Sequence, residues 1–330
     1  MPKRIQSSLQ EQRGGSFGKG LTTVGILFVL VWICVETVAA KGQVPGAASK
    51  TPHPSFEVRS VGSGPAILMI PGLSSGASTW DGTVDALKGR FRCITIGVAG
   101  FAGVAPVPGL TLEMVRDQLA GYIRSEHLQR PILMGHSLGG AIAMDLAARY
   151  PTLVGPVVVV DALPFMAEAW FEVPTLDAAK PFLAQMGAGM RAMSAAQWAA
   201  YQQSGATTRT MASSPADQKR LMEWGLASDQ KTVTDTMLEL LGEDLRGELK
   251  QIQTPVLVIG TWAGLQSPGV TKESVKRLFL EQYAGVHDLD LVMADKERHF
   301  VMWDNPNWFE ATLEGFLSRN SVAAADAAGQ

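Results

Sequence analysis

Apolar residues recur along this chain in two rhythms, and the changes of rhythm mark its elements. Short β-rich runs fall at Phe56–Val61, Ala66–Ile70, Arg92–Val98, Pro131–Met134, Val157–Val160, Thr254–Ile259 and Leu289–Met293. Between them lie patterns that predict helices at Thr79–Lys88, Leu112–Glu126, Leu138–Tyr150, Glu273–Tyr283 and Asn307–Leu317. The second of these carries Leu112, Val115, Leu119 and Ile123, the three- and four-residue spacing of one helix face. Val157–Val160 is pure valine, the composition of a strand buried on both sides. Strands that alternate with helices predict an α/β fold: a mostly parallel, twisted sheet with helices on both faces.

The alternation stops at Leu163 and resumes near Leu249. No strand pattern occurs between, so 163–248 reads as an inserted helical cap dividing a core of 55–162 and 249–319. Its methionines (Met166, Met186, Met190, Met193, Met211, Met222) and tryptophans (Trp170, Trp198, Trp224) are expected mainly to pack the helices, with a minority lining a pocket. Residues 320–330, rich in alanine and polar residues, read as a disordered tail.

The N-terminal region has a different character. Lys3, Arg4, Arg13 and Lys19 precede an apolar run from Val24 to Val35, and Val38 and Ala40 then stand at the small-residue positions of a cleavage site. A basic segment, a short apolar one and small residues predict a signal peptide over 1–40, followed by a Gly-, Ala-, Pro- and Ser-rich linker over 41–54. The protein is therefore expected to be exported, to the periplasm or the medium. If the segment is retained, it is a membrane anchor, although its apolar run is short of the ~20 residues of a spanning helix. Loss of 1–40 would remove four basic and two acidic residues from totals of 28 and 31, changing the net charge from −3 to 24 − 29 = −5. That charge gives no case for nucleic acid. It would also remove Cys34, leaving Cys93 alone in a strand-like run, where it is expected to be a buried core residue without a disulfide.

Chemistry concentrates in Pro131-Ile-Leu-Met-Gly-His-Ser-Leu-Gly-Gly140. Gly135-His-Ser137-Leu-Gly139 fits G-x-S-x-G between a strand and a helix, the setting in which a sharp turn lifts a serine above the sheet. The glycines leave room for strand and helix backbones to close on each other. Neither a cofactor nor a metal is called for: no histidine pair has ligand spacing, and no phosphate loop or dinucleotide fingerprint occurs.

From about Phe56 to Leu317 the chain resembles the α/β-hydrolase superfamily, and three segments carry the likeness. One is the serine turn. The second, Ile70-Pro-Gly-Leu-Ser-Ser-Gly-Ala-Ser-Thr-Trp80, is similar to the family's His-Gly oxyanion loop, with Pro71 in place of the histidine. The third, Arg298-His-Phe-Val-Met-Trp-Asp-Asn-Pro306, is similar to its histidine loop. The resemblance implies Ser137 as nucleophile and His299 as base. His53 lies in the linker, His127 ends a helix, His287 precedes a strand, and His136 adjoins the serine on a turn where neighbours point apart. In most of the family the acid follows the strand represented here by Pro255–Ile259, but Gly260–Lys272 holds no carboxylate. Asp161, after the valine strand, is the expected acid, as in some family members. Glu273 is the alternative, and Asp295 and Glu297 are too near His299 in sequence to fold under its ring. By the same resemblance the backbone N–H groups of Leu73 and Leu138 form the oxyanion hole. Trp80, Phe101 and His136 are expected to contact substrate.

The implied activity is acyl transfer on a small, moderately hydrophobic carboxylic ester, by a Ser-His-Asp acyl-enzyme route. Rival readings are an aminopeptidase or amidase (Glu168, Glu172 and Asp177 could hold an amine), a lactonase, a cofactor-free perhydrolase, or a binding protein that kept the fold. The expected partner is the small-molecule ester alone, with a membrane added only if the N-terminal segment persists.

Overall fold

The computed structural model describes residues 53–265 and 270–328. Seven strands form one sheet: β1 (Phe56–Val61), β2 (Ala66–Ile70), β3 (Arg92–Val98), β4 (Ile132–His136), β5 (Val157–Val160), β6 (Val256–Gly260) and β7 (Leu289–Met293). Their spatial order is β1-β3-β2-β4-β5-β6-β7. Only β1 runs antiparallel, paired to β3; the rest are parallel, with Leu68 opposite Leu133 and Val159 opposite Val258. The expected sheet is therefore present, and each expected strand falls within a residue or two of its predicted place.

Strand side chains alternate between the two faces of the sheet, and the core divides accordingly. Leu68, Ile70, Ile94, Ile96, Leu133, Val157 and Val159 face one layer, where they meet Leu119 and Ile123 of α2 (Leu112–Ser125) and Ala141 of α3 (Leu138–Arg149). Ile67, Met69, Cys93, Met134, Val158 and Val160 face the other, with Trp80 and Val84 beside them. That layer is closed by α1 (Asp81–Leu87) and by Phe309, Leu313 and Phe316 of α12 (Pro306–Ala328). Cys93 is buried as expected, and burial pushes its thiol up to about 11.

Between β5 and β6 the described chain holds six α-helices and no strand: α4 (Met166–Phe171), α5 (Leu176–Ala192), α6 (Ala195–Gln203), α7 (Thr208–Met211), α8 (Pro215–Ala227) and α9 (Gln230–Leu241). Side chains delimit most of them. Thr175, Ser194, Ser214 and Asp229 cap the N-termini of α5, α6, α8 and α9 by accepting from the third residue on. Trp198 is buried, and Met190, Met193, Met211 and Trp224 pack against the core, whereas Trp170 is half exposed. The remaining helices are α10 (Lys272–Gln282) and α11 (Val301–Asp304).

One terminal expectation changes. α12 continues to Ala328, through most of the 320–330 segment read as a disordered tail. Ala323-Ala-Ala325 and Ala327-Ala328 supply the strongest helix-forming residue, which outweighs the absence of an apolar stripe. The expected signal peptide over 1–40 and the linker up to residue 52 lie outside the described residues.

Candidate active site

The parallel topology decides where chemistry can sit. From β2 the chain moves to β3 on one side, and from β4 to β5 on the other, so a crevice opens at the carboxyl ends of these strands. Ser137 follows β4, Leu73 lies in the loop after β2, Asp161 follows β5, and His299 lies in the loop after β7. All four thus belong to the carboxyl edge of the sheet.

Ser137 occupies the apex of the turn with φ 53° and ψ −120°, a conformation that costs any residue with a β-carbon. The bend holds because its N–H donates to Val160 O at 2.8 Å, while its own carbonyl accepts from Gly140 and Ala141 of α3. The packing is tight enough to require glycine. A Cβ on Gly135 would stand 2.1 Å from Gly139 O, and one on Gly139 would stand 2.3 Å from Ile70 O. The β2 loop presses just as closely: a Cβ on Gly72 would lie 2.9 Å from His136 Nδ1 and 3.2 Å from Ser137 Cβ. Among the described residues, neither the Leu73 nor the Leu138 N–H donates to a backbone carbonyl. Leu138 is the first residue of α3, where helix geometry leaves N–H groups free and the helix dipole is positive.

His299 meets Asp161 across 138 residues, with Nδ1 2.6 Å from Oδ2. A carboxylate only accepts, so Nδ1 carries a proton toward it, and in that tautomer of the neutral ring Nε2 presents a lone pair. Asp161 also has a positive φ, 49°. Its carboxylate is fixed by Thr261, which donates its N–H to Oδ1 and its hydroxyl to Oδ2, both at 2.7 Å. Thr261 stands just beyond β6, where no carboxylate is available, and holds a carboxylate that arrives from the neighbouring strand. Glu273 is exposed in the first turn of α10 instead. Glu297 turns back on its own loop, where it accepts from the Asp295 and Lys296 N–H groups and from Asn305 Nδ2. Burial raises its pKa, but these bonds outweigh burial and leave the carboxyl below its usual range.

Three expected substrate contacts are corrected. Trp80 and Phe101 have no exposed surface; each is wholly packed in one face of the core. Their bulk and apolarity are better satisfied beneath the loops than at a pocket mouth. His136 is also fully buried. Its Nε2 is 3.0 Å from the His299 carbonyl, so that nitrogen donates, and its ring lies 4.4 Å from the rings of both His299 and Phe300. Burial, with His299 adjacent, holds the His136 pKa well below the usual histidine range. It is a neutral pillar under the His299 loop and offers a substrate no surface. The role of Thr261 was missed by sequence reasoning: it belongs to no motif and sits just past a strand end, where such a side chain ordinarily reads as a cap.

The family model for the alpha/beta hydrolase family matches residues 67–312. The chain belongs to the alpha/beta hydrolase family. Among curated relatives, the 2-(acetamidomethylene)succinate hydrolase of Mesorhizobium japonicum is 34% identical over 125 residues, 38% of this chain and 43% of that protein. The chain thus spans less than half the length of that relative. The pimeloyl-[acyl-carrier protein] methyl ester esterase of Nitrosomonas europaea is 25% identical over 213 residues, 62% of this chain and 79% of that one. Among solved structures, the enol-lactonase of Burkholderia xenovorans superposes with a TM-score of 0.64 at 19% identity, covering 80% of this chain and 96% of its own. This last likeness is one of fold. In this alpha/beta hydrolase the serine turn, the β2 loop and the histidine loop all fall inside the matched span.

Proposed function

We propose that this alpha/beta hydrolase is a serine hydrolase of small, moderately hydrophobic carboxylic esters, with Ser137 as nucleophile, His299 as base and Asp161 as the acid that orients it. The observation that carries the reading is the Asp161–His299 pair at 2.6 Å, whose free Nε2 belongs to a loop that rides on His136, the residue just before Ser137. Among the described residues the Ser137 hydroxyl makes no hydrogen bond. In enzymes of this kind the nucleophile–base bond commonly tightens only when substrate arrives. Ser137 Oγ adds to the ester carbonyl carbon as its proton passes to His299 Nε2, and the carbonyl electrons move to oxygen. The Leu73 and Leu138 N–H groups stabilise that oxyanion. Collapse expels the alcohol, which leaves with the proton from Nε2. Water then adds to the acyl group, giving its proton to Nε2, and the acid departs as Ser137 recovers a proton. Asp161 stabilises the imidazolium in both halves without taking its proton.

An ester is favoured over an amine-bearing peptide because two of the three acidic side chains that could hold an amine, Glu168 and Asp177, are committed elsewhere. Glu168 accepts from Arg246 at 3.0 Å and from Gln282 at 2.9 Å, and Asp177 accepts from Lys180. The esterase of Nitrosomonas europaea, whose name specifies an ester, also aligns over a longer span than the succinate hydrolase. Export belongs to the same proposal and rests on the N-terminal sequence alone; N-terminal sequencing of the protein recovered from each cell fraction tests it. The catalytic reading is tested with a fluorophosphonate probe and p-nitrophenyl acetate and butyrate. Wild type should label and turn over ester, and Ser137→Ala should do neither. Wild-type protein that neither labels nor hydrolyses ends the proposal.

A further inference from the structure

Seven described residues other than glycine hold a positive φ, and Ser137 and Asp161 are two of them. Two more, Ser74 at 58° and Ala102 at 45°, lie in different loops, after β2 and after β3. Both are hydrogen-bonded to one side chain of the insertion. Ser228 Oγ accepts from Ser74 Oγ at 2.8 Å and from the Ala102 N–H at 2.8 Å, and donates its own proton to Trp224 O at 2.7 Å. A hydroxyl has one proton and two lone pairs, so these bonds saturate it. Ser228 is buried at the joint between α8 and α9. Asp229 extends the joint, its N–H donating to Gly100 O at 2.8 Å while its carboxylate caps α9 through Thr232.

Left-handed backbone disfavours any residue with a Cβ, and it persists only where the surroundings fix it. Within the loop the Ser75 N–H closes the turn on Gly72 O, and the bond that ties the Ser74 side chain itself comes from Ser228. Ser74 is joined directly to Leu73, the residue whose N–H is the proposed oxyanion donor. A Ser74 released toward ordinary negative φ would carry Leu73 with it. We infer that Ser228 is a positioning residue for the oxyanion hole: through Ser74 it holds the Leu73 N–H where the tetrahedral intermediate needs it. The helical insertion then contributes to turnover through this joint, beyond covering the site.

The inference rests on the proposed ester hydrolysis, and one set of measurements separates the two. Wild type, Ser228→Ala, Ser74→Ala, Ser74→Gly and the Ser74→Gly/Ser228→Ala pair are compared for kcat and KM on p-nitrophenyl butyrate, for Ki of an alkyl trifluoromethyl ketone, and for Tm. The ketone adds to a serine to give an oxyanionic adduct, so its affinity reads the hole. Ser228→Ala and Ser74→Ala should each lower kcat about 10- to 100-fold and weaken the ketone by the same factor, with KM within about twofold, since a misplaced donor is felt chiefly in the transition state. In the Ser74→Gly background Ser228→Ala should cost less, because glycine adopts that φ unaided. A Ser228→Ala protein of lowered Tm but unchanged kcat makes Ser228 a structural staple and overturns the inference. So does a fall in kcat with ketone affinity intact. If Ser228→Ala does not fold, Ser74→Ala decides by the same criteria, because it leaves the other two bonds of Ser228 in place. Wild type without ester turnover or labelling at Ser137 overturns the inference together with the functional reading; active wild type matched by active Ser228→Ala overturns the inference alone.

Discussion

The loop after β2, against Ser137, and the loop after β7, against Asp161 and His136, are held by opposite kinds of chemistry. The loop after β2 is held by neutral groups: the Ser74–Ser228 hydroxyl pair, the Ser75 N–H on Gly72 O, and the Ser75 hydroxyl on Leu73 O at 3.2 Å. The loop after β7 is held by charge. Asp304 accepts from the Arg298 N–H at 2.8 Å and from the Ser213 N–H and hydroxyl at 2.8 and 2.7 Å. Arg298 in turn donates its guanidinium to the carbonyls of Arg209 and Ala212, and the Phe300 N–H bonds Met211 O. The insertion therefore grips the proposed oxyanion donor with its α8–α9 joint and the proposed base with its α7–α8 turn. A neutral clamp loses one bond at a time. A carboxylate clamp, once removed, leaves several donors unsatisfied together, each with its own desolvation cost.

The comparison is broken most severely at Asp161, the charged group that touches the base itself. Asp161→Asn should lower kcat on p-nitrophenyl butyrate by about 10³- to 10⁴-fold with the fold intact, because an amide no longer fixes the imidazole tautomer or balances its charge. The Thr261 N–H sharpens the expectation: it claims the amide oxygen at the Oδ1 position and leaves the NH2 group at the Oδ2 position, facing Nδ1. Near-full activity would remove Asp161 from the machinery. The next effect is smaller. Asp304→Ala should lower kcat about tenfold by freeing the base's loop from the α7–α8 turn. Ser213→Ala, which deletes only one of the three bonds to Asp304, should lower it about twofold or less. Equal effects of the two variants would mean that the carboxylate is not the organising group.

Legibility in the sequence divides along the same line. The strands were legible because the demand for burial on both faces leaves little freedom: Val157-Val-Val-Val160 cannot sit anywhere but in the middle of a covered sheet. The meeting of Ser137, Asp161 and His299 at one edge of the sheet was legible because each comes after a strand, and parallel strands deliver the residues at their carboxyl ends to one edge; the roles proposed for them came from the family resemblance. Trp80 and Phe101 misled because an aromatic next to a catalytic motif satisfies pocket and core equally well by pattern alone; in the fold both have no exposed surface. Ser228 and Thr261 gave no signal. A serine between two helices reads as a cap, and its partner Ser74 lies 154 residues away. Bonds made by single hydroxyls across such separations arise from tertiary packing, and no periodicity records them.

A third point of attachment sharpens the contrast, because there a charge is placed to no advantage. Glu243 follows α9 and faces Asp145 of α3, and burial, then Asp145, then Glu239, push its carboxyl up to about 7. Arg116 and Arg149 act against the shift. They cannot cancel it, because Arg116 already donates to Asp145 at 2.7 Å, Asp117 at 2.8 Å and Glu113 at 3.0 Å, and Arg149 to Asp145. The sign comes from linkage: a carboxyl whose folded pKa lies above its unfolded value of 4.5 favours the folded state while it stays protonated. Its contribution is whole below 4.5, declines as pH rises from there to about 7, and is gone above. Glu243→Gln should therefore leave unfolding free energy unchanged near pH 4 and raise it by about 3 kcal/mol at pH 8, as read by urea titration at both values. Its kcat should stay at the wild-type level, since Glu243 belongs to neither clamp. A gain of equal size at both pH values would trace the effect to packing, and an accompanying loss of turnover would show that this third attachment also reaches Ser137.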